Sequence, residues 1–270
     1  MVIGPVKLSP KTPLTMKNPI MLGAMSGYTT ETFVLEAAKA GVGAVSLGGF
    51  SVDEKTYEAS IAVRGRGRNE FAIPPENLAS YVNPQLDRLE KFNIPVFLNV
   101  RFVDPSSVLN FLEQLDFNEH LVLELNAHCR QPEVVAVDAG QALMRNKSLL
   151  RKLMSHLPPR QVIGLKIRGN DPNAVQFAEL FGQLGGDVLH VDAYKAGKEG
   201  IATDLLKEVR SVFPYCLIGN NSVAVKEGEL LAELLRSGVV DGLSVARAAI
   251  HDPAVPAQLW HELLKFLTLS

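Results

Sequence analysis

Five apolar runs in this chain end in two polar residues spaced two positions apart: Asn99 and Arg101, Glu124 and Asn126, Lys166 and Arg168, His190 and Asp192, Asn220 and Ser222. Residues i and i+2 of a strand point to the same side, so each pair projects from one face at one end of its strand. Short β-rich runs fall at 19–25, 44–50, 95–102, 120–127, 161–169, 188–194, 215–223 and 242–249. The intervening segments carry helical spacing, as in Leu149, Leu150, Leu153, Met154 and Leu157, or Leu230, Leu231, Leu234 and Leu235. Strand then helix, repeated, implies parallel pairing. Eight such units in 270 residues predict a (β/α)8 TIM barrel, with the polar tips gathered at one mouth.

A doubly wound open sheet is the competing architecture, but its Gly-x-Gly-x-x-Gly turn is absent. Gly23-Ala24-Met25-Ser26-Gly27 has the wrong spacing. Helix starts are predicted at Asn83-Pro84, Asp104-Pro105, Asp171-Pro172 and Asp252-Pro253, and left-handed stops at Gly41, Gly185 and Gly238. The whole chain, 1–270, reads as one barrel domain with a long irregular connection at 51–94, in which only Asn83 to Phe92 reads as helix. The centre of that connection, Arg64-Gly65-Arg66-Gly67-Arg68, suits either an anion contact or a solvated surface loop.

Composition narrows the partners. With 47% hydrophobic and 21% charged residues the chain fits a globular protein, and 27 basic against 29 acidic residues leave no global positive field for nucleic acid. Any polyanion contact must be local. Two cysteines argue against a disulfide framework and fit the cytoplasm. Pro5, Lys7, Pro10 and Lys11 interrupt any secretory signal, and no apolar run is long enough to predict a membrane span.

Cys129 follows the fourth barrel strand, which places a thiol at the mouth beside His128 and Arg130, two side chains that favour a thiolate; the alternative is a small buried hydrophobe. Cys216 starts a strand at the opposite end and reads as core. An inward Lys166 is costly to desolvate without an anion or electron-rich ligand, or Glu124 as a structural partner. His190 suits a general acid, a phosphate donor or a satisfied structural residue. Ile218-Gly219-Asn220-Asn221 and Asp241-Gly242-Leu243-Ser244-Val245-Ala246-Arg247 end the last two strands, where such barrels bind phosphate. No Cys/His cluster has zinc-like spacing, and no metal is predicted.

Together these segments resemble the dihydrouridine synthases, flavin enzymes that reduce uridine in transfer RNA. Gly23-Ala24-Met25-Ser26-Gly27-Tyr28-Thr29 is similar to the family's Ala-Pro-Met-Ala-Gly-Val-Thr, and Leu125-Asn126-Ala127-His128-Cys129 to Ile-Asn-x-Gly-Cys-Pro, which carries the catalytic cysteine. Ala139-Gly140-Gln141-Ala142-Leu143-Met144-Arg145, Leu165-Lys166-Ile167-Arg168, Ile218-Gly219-Asn220-Asn221-Ser222-Val223 and the segment from Asp241 to Ala249 continue the likeness in order. The resemblance implies FMN across the mouth, with Ala24, Met25, Asn99, Lys166 and His190 near the ring system. Gly219, Asn220, Asn221, Ala246 and Arg247 would surround its phosphate. It further implies Asn126 and Arg168 toward the substrate, Cys129 as proton donor, Lys166 as a catalytic contact, and NADPH as electron source.

Three features depart from that family. His128-Cys129-Arg130 replaces Gly-Cys-Pro, Asp192 stands in place of an arginine, and the last barrel helix ends at Ser270 without the helical tRNA-binding domain. These departures point to a divergent, archaeal-type branch, in which a homo-oligomer or a separate tRNA-binding partner would supply transfer RNA contacts. The leading expectation is an FMN-dependent oxidoreductase acting on a uracil-like or other activated double bond, in a small molecule or in tRNA. The alternatives are a non-flavin phosphosugar isomerase or aldolase using Lys166 or Glu124, and a catalytically inactive FMN- or RNA-binding barrel.

Overall fold

A computed structural model of the protein describes residues 4–116, 118–194, 200–220 and 227–268. Two short strands, β1 (Val6–Lys7) and β2 (Thr15–Met16), form an antiparallel hairpin. The chain then enters β3 (Ile20–Leu22), β4 (Ala44–Ser51), β5 (Val96–Arg101), β6 (Leu121–Ala127), β7 (Val162–Arg168), β8 (Val188–Asp192), β9 (Cys216–Asn220) and β10 (Gly242–Val245). These eight pair in parallel, in chain order, and β10 closes onto β3. The predicted (β/α)8 barrel and all eight predicted strands are present.

Around the barrel run α1 (Glu31–Ala40), α2 (Glu54–Gly65), α3 (Pro75–Glu90), α4 (Pro105–Glu113), α5 (Pro132–Ala136), α6 (Lys147–Met154), α7 (Ala174–Gln183), α8 (Thr203–Val212), α9 (Gly228–Arg236) and α10 (Val255–Leu267). Gly41, Gly185 and Gly238 all adopt positive φ after their helices, as predicted. Asp104 caps α4 by accepting from Ser106 N at 3.1 Å. Asp171 and Asp252 instead cap the turn that precedes α7 and α10, accepting from Asn173 N and Ala254 N.

The connection at 51–94 is not irregular. It holds two helices, and Pro84 lies inside α3 rather than at its start. The Pro74-Pro75 pair begins α3, since proline suits a first helical turn. Helix α2 is capped by Asp53, whose carboxylate accepts from Thr56 N at 2.9 Å and, through its other oxygen, from Val103 N at 2.7 Å. The buried face of α2 is Thr56, Ala59, Ser60 and Val63, too small and polar to stand out as an apolar stripe.

Period-2 alternation sorts the strands. Outward residues such as Leu98, Leu123, Leu125, Leu165, Ile167 and Val191 pack under the helices. Inward residues at the lower end, among them Met21, Phe97, Val122, Val162, Val188 and Ile218, form a separate apolar cluster. The hairpin plugs it from below with Val6, Leu8, Leu14 and Met16. Cys216 belongs to this floor, as expected, and burial pushes its thiol pKa well up. Asp187 latches the plug: its buried carboxylate accepts from Ser9 Oγ (2.6 Å), Lys11 Nζ (2.9 Å) and Ile163 N (2.9 Å). Met16 is fully buried. Met16→Ala is therefore expected to lower unfolding free energy by about 2–5 kcal/mol in urea denaturation; an unchanged midpoint would show that the plug does not support the barrel.

Candidate active site at the barrel mouth

Above this floor the inward positions become polar on five neighbouring strands. Their open end forms a cleft of about 990 Å³, at the upper end of the usual range for ligand sites. Of the residues singled out from sequence, Ala24, Met25, Asn99, Asn126, Cys129, Lys166, Arg168, Asn220, Ala246 and Arg247 all line it. Asn221 and Ser222 lie outside the described residues.

The mouth is organised by a hydrogen-bonded belt. The Asn126 Oδ1 accepts from the backbone amides of His128 (3.1 Å) and Cys129 (2.9 Å), and its Nδ2 donates to Asn99 Oδ1 at 2.8 Å. Asn99 Nδ2 donates to Glu124 Oε2 at 2.6 Å, and the other carboxylate oxygen meets His190 Nδ1 at 2.8 Å. His190 Nε2 faces Asn220 Nδ2 at 3.4 Å, which continues to Ser244 Oγ at 3.1 Å. With the Asn220 amide oriented in this way, His190 is neutral and protonated on Nδ1.

Two expectations change as a result. His190 is fully buried beneath the cleft with both nitrogens engaged, so it holds Glu124 and Asn220 rather than touching a ligand. Gly219 faces outward: a Cβ there would meet Ile201, Val240 and Leu206 in the helix layer. Period-2 alternation requires this, because Asn220 points inward. Asn126 has both lone pairs occupied and keeps one N–H for a ligand, whereas Asn99 keeps one N–H and one lone pair.

Charge at the base is concentrated. Lys166 is 3% exposed, and among the described residues its Nζ has no hydrogen-bond partner. Burial lowers its pKa, while Glu124 and Asp192 act against that fall. Burial opposes ionisation of Glu124, but His190, Lys166 and Asn99 outweigh it and hold its carboxyl below the usual range. For His190, burial and Lys166 prevail over Glu124 and push the pKa down to about 4. Asp192 accepts from Arg168 at 2.7 Å and lies 2.7 Å from His128 Nε2. Burial opposes its charge, yet His128, Arg168 and Lys166 keep its carboxyl well below the ordinary range.

The loops fix the rim. Glu70, absent from the sequence-based candidates, pairs with the buried Arg101 at 2.7 Å and accepts from Ser26 Oγ. Arg101 also donates to Gly49 O. This cluster ties the α2–α3 loop to the strand ends. Arg66 is already paired with Glu133 (2.6 Å) and Gln131 (2.9 Å), so within the basic run it is Arg68 that lines the cleft. Cys129 is half-buried; its carbonyl accepts from Gln141 N at 2.8 Å. Gly140, at φ 58°, passes so close that a Cβ would lie 2.4 Å from Cys129 O. A side chain at Gly140 would displace the thiol loop.

The fold and mouth define an eight-stranded parallel barrel with a polar, cation-lined cleft at the carboxyl ends of its strands, the end where barrel enzymes work. The chain belongs to the same family as "Uncharacterized protein MJ0144" of Methanocaldococcus jannaschii, with 36% identity over 239 residues, covering 86% of this chain and 89% of that relative. No protein-family model matches. Among solved structures, histamine dehydrogenase from Rhizobium sp. 4-9 superposes with a TM-score of 0.67 at 11% identity over 97% of this chain, which spans 48% of that larger chain. Morphinone reductase superposes with a TM-score of 0.60 at 10% identity, covering 96% of this chain and 90% of its own. At such identities these likenesses establish the fold. Among the described residues no group of three His, Cys, Asp or Glu side chains could hold a metal, and no helix is long and apolar enough to cross a membrane.

The depressed His190 pKa has a thermodynamic consequence. Between its ordinary value of 6.5 and its folded value of about 4, the unfolded chain binds a proton that the native imidazole refuses. Stability therefore falls as pH drops through that window, by about 1.4 kcal/mol per pH unit. Between pH 7 and pH 5, His190→Gln should reduce the acid-induced loss in urea denaturation by about 2 kcal/mol. Equal losses in the two proteins would mean that His190 is not held neutral.

Proposed function

We propose that this chain is an FMN-dependent oxidoreductase that reduces a uracil-like or other activated double bond, drawing electrons from NADPH. The observation that carries the reading is the buried Lys166 ammonium facing the cleft without an acceptor among the described residues. An electron-rich ring with carbonyl oxygens, laid over the floor, would supply one. The remaining lining fits. Ala24 and Met25 wall one side, Asn99 keeps one donor and one acceptor, and Ala246 and the exposed Arg247 stand where a phosphate would lie. Arg168 also lines the cleft, and its Nε is buried without a hydrogen-bond partner among the described residues.

A bound flavin would supply two-electron transfer at this mouth. The protein's own contributions are positional and protic. Asn126 and the Gly140 segment hold Cys129 at the cleft wall, where its Sγ proton can reach a substrate carbon. The remaining N–H of Asn126 can donate to a substrate carbonyl. Histamine dehydrogenase and morphinone reductase, the latter also solved with tetrahydroNAD, are named for redox reactions on the same fold, which supports the class. Dihydrouridine synthesis in transfer RNA is the narrower reading, resting on the sequence resemblance. A homo-oligomer or a separate partner would supply the RNA contacts, and two free thiols suit a cytoplasmic setting.

Purified protein should show flavin absorbance, either as isolated or after incubation with FMN, and Lys166→Ala should weaken FMN binding at least tenfold, about 1.4 kcal/mol. Colourless protein that FMN cannot reconstitute would remove the proposal. A second reading rests on the same lysine: a buried amine with a lowered pKa also suits Schiff-base chemistry in a phosphosugar aldolase. Borohydride trapping of a sugar phosphate on Lys166 would favour that reading, and failure to trap would discard it.

A further inference from the structure

The two residues at the mouth that depart most from the dihydrouridine synthase pattern, His128 and Asp192, are bonded to each other. They lie 64 positions apart in sequence, on the loop after β6 and at the end of β8, yet His128 Nε2 is 2.7 Å from Asp192 Oδ2. The same carboxylate oxygen accepts from Arg168 at 2.7 Å. His128 lines the cleft and its side chain is 30% exposed, while Asp192 is nearly buried. Among the described residues His128 Nδ1 makes no hydrogen bond, and the partly exposed ring belongs to the cleft lining, which leaves this nitrogen available to a ligand.

We propose that His128 and Asp192 form a proton-transfer pair, in which Asp192 orients the imidazole and His128 Nδ1 takes a proton from a substrate C–H or N–H adjacent to a carbonyl. The ionised Asp192 accepts the Nε2 proton, which fixes the tautomer and leaves the Nδ1 lone pair toward the cleft. Other groups facing the ring are Lys166 and Arg168 on β7, with His190 behind on β8 and Cys129 and Arg130 following on its own loop. Burial, together with Lys166 and Arg168, lowers the His128 pKa against the pull of Asp192, so the basic form prevails at neutral pH.

The step balances without another reagent. The proton moves to Nδ1, giving an imidazolium held by Asp192, and the bonding pair stays on the substrate as an enolate or amidate oxygen facing Lys166 and Arg168. Reversal of the step returns the proton. The inference requires the cleft to be a substrate site but does not require flavin.

A probe that needs no knowledge of the natural substrate tests it. 5-Nitrobenzisoxazole loses its ring C–H to a base while its N–O bond breaks, releasing a coloured cyanophenolate. The protein as purified should accelerate this elimination, with a rate that rises through a pKa below that of free imidazole and then levels off. His128→Asn should lose roughly 100-fold or more of the rate, and Asp192→Asn should lose less and move the pH midpoint. Histidine ¹⁵N spectra should show His128 protonated on Nε2 at neutral pH, and circular dichroism should confirm that both variants are folded. Equal rates for wild type and His128→Asn, or a wild-type rate no higher than that of heat-unfolded protein, would overturn the proposal. Flavin absorbance recorded on the same preparation before and after incubation with FMN separates the two ideas: protein that stays colourless after FMN incubation but still performs the elimination would retain this pair and discard the flavin reading.

Discussion

The open end of this barrel depends on one buried carboxylate. Glu124 is fully sequestered, and its two oxygens receive Asn99 on one side and His190 on the other, while Lys166 supplies the neighbouring positive charge. Burying such a group is unfavourable unless it is paired and hydrogen-bonded, and here both conditions are met. The consequences spread along the belt. Asn99 orients Asn126, Asn126 holds the amides of His128 and Cys129, and His190 positions Asn220. A change of charge at Glu124 would thus be felt at the thiol loop, at the lysine and at the last two strands together.

The barrel divides apolar packing and polar side chains between its ends. Below Glu124 the inward side chains are apolar and sealed by the Val6 to Met16 hairpin, latched through Asp187. Above it nearly every inward side chain is polar. A continuous polar interior would leave the barrel without a core, and a wholly apolar one would leave nothing to grip a ligand. At the rim, the buried pair of Arg101 with Glu70 and the exposed pair of Arg66 with Glu133 tie loops to the strand ends, so the cleft is shaped by side chains from several connections at once.

Much of this was legible in the sequence because strands advertise themselves by parity. Val122, Glu124 and Asn126 alternate with Leu121, Leu123 and Leu125, and that pattern alone places two polar groups inside near one end of β6. The same parity turns Gly219 away from the mouth, a point that motif likeness overrode. Helix α2 escaped notice because its buried face is built from Thr56, Ala59 and Ser60, and the hairpin because two-residue strands have no period to read. The His128 to Asp192 bond could not be read at all. Each residue looked anomalous alone, and only the sheet order, with β7 between β6 and β8, brings the loop after β6 against the end of β8.

The most direct test of Glu124 as the organiser of the mouth is the pKa of Lys166, measured by ¹⁵N or ¹³C NMR on side-chain-labelled protein in wild type and in Glu124→Gln. Burial depresses this lysine and the carboxylate holds part of its charge in place. Removing the negative charge while keeping the side-chain shape should lower the Lys166 pKa further. An unchanged value in a folded variant would contradict the account, showing that the lysine draws its support from elsewhere.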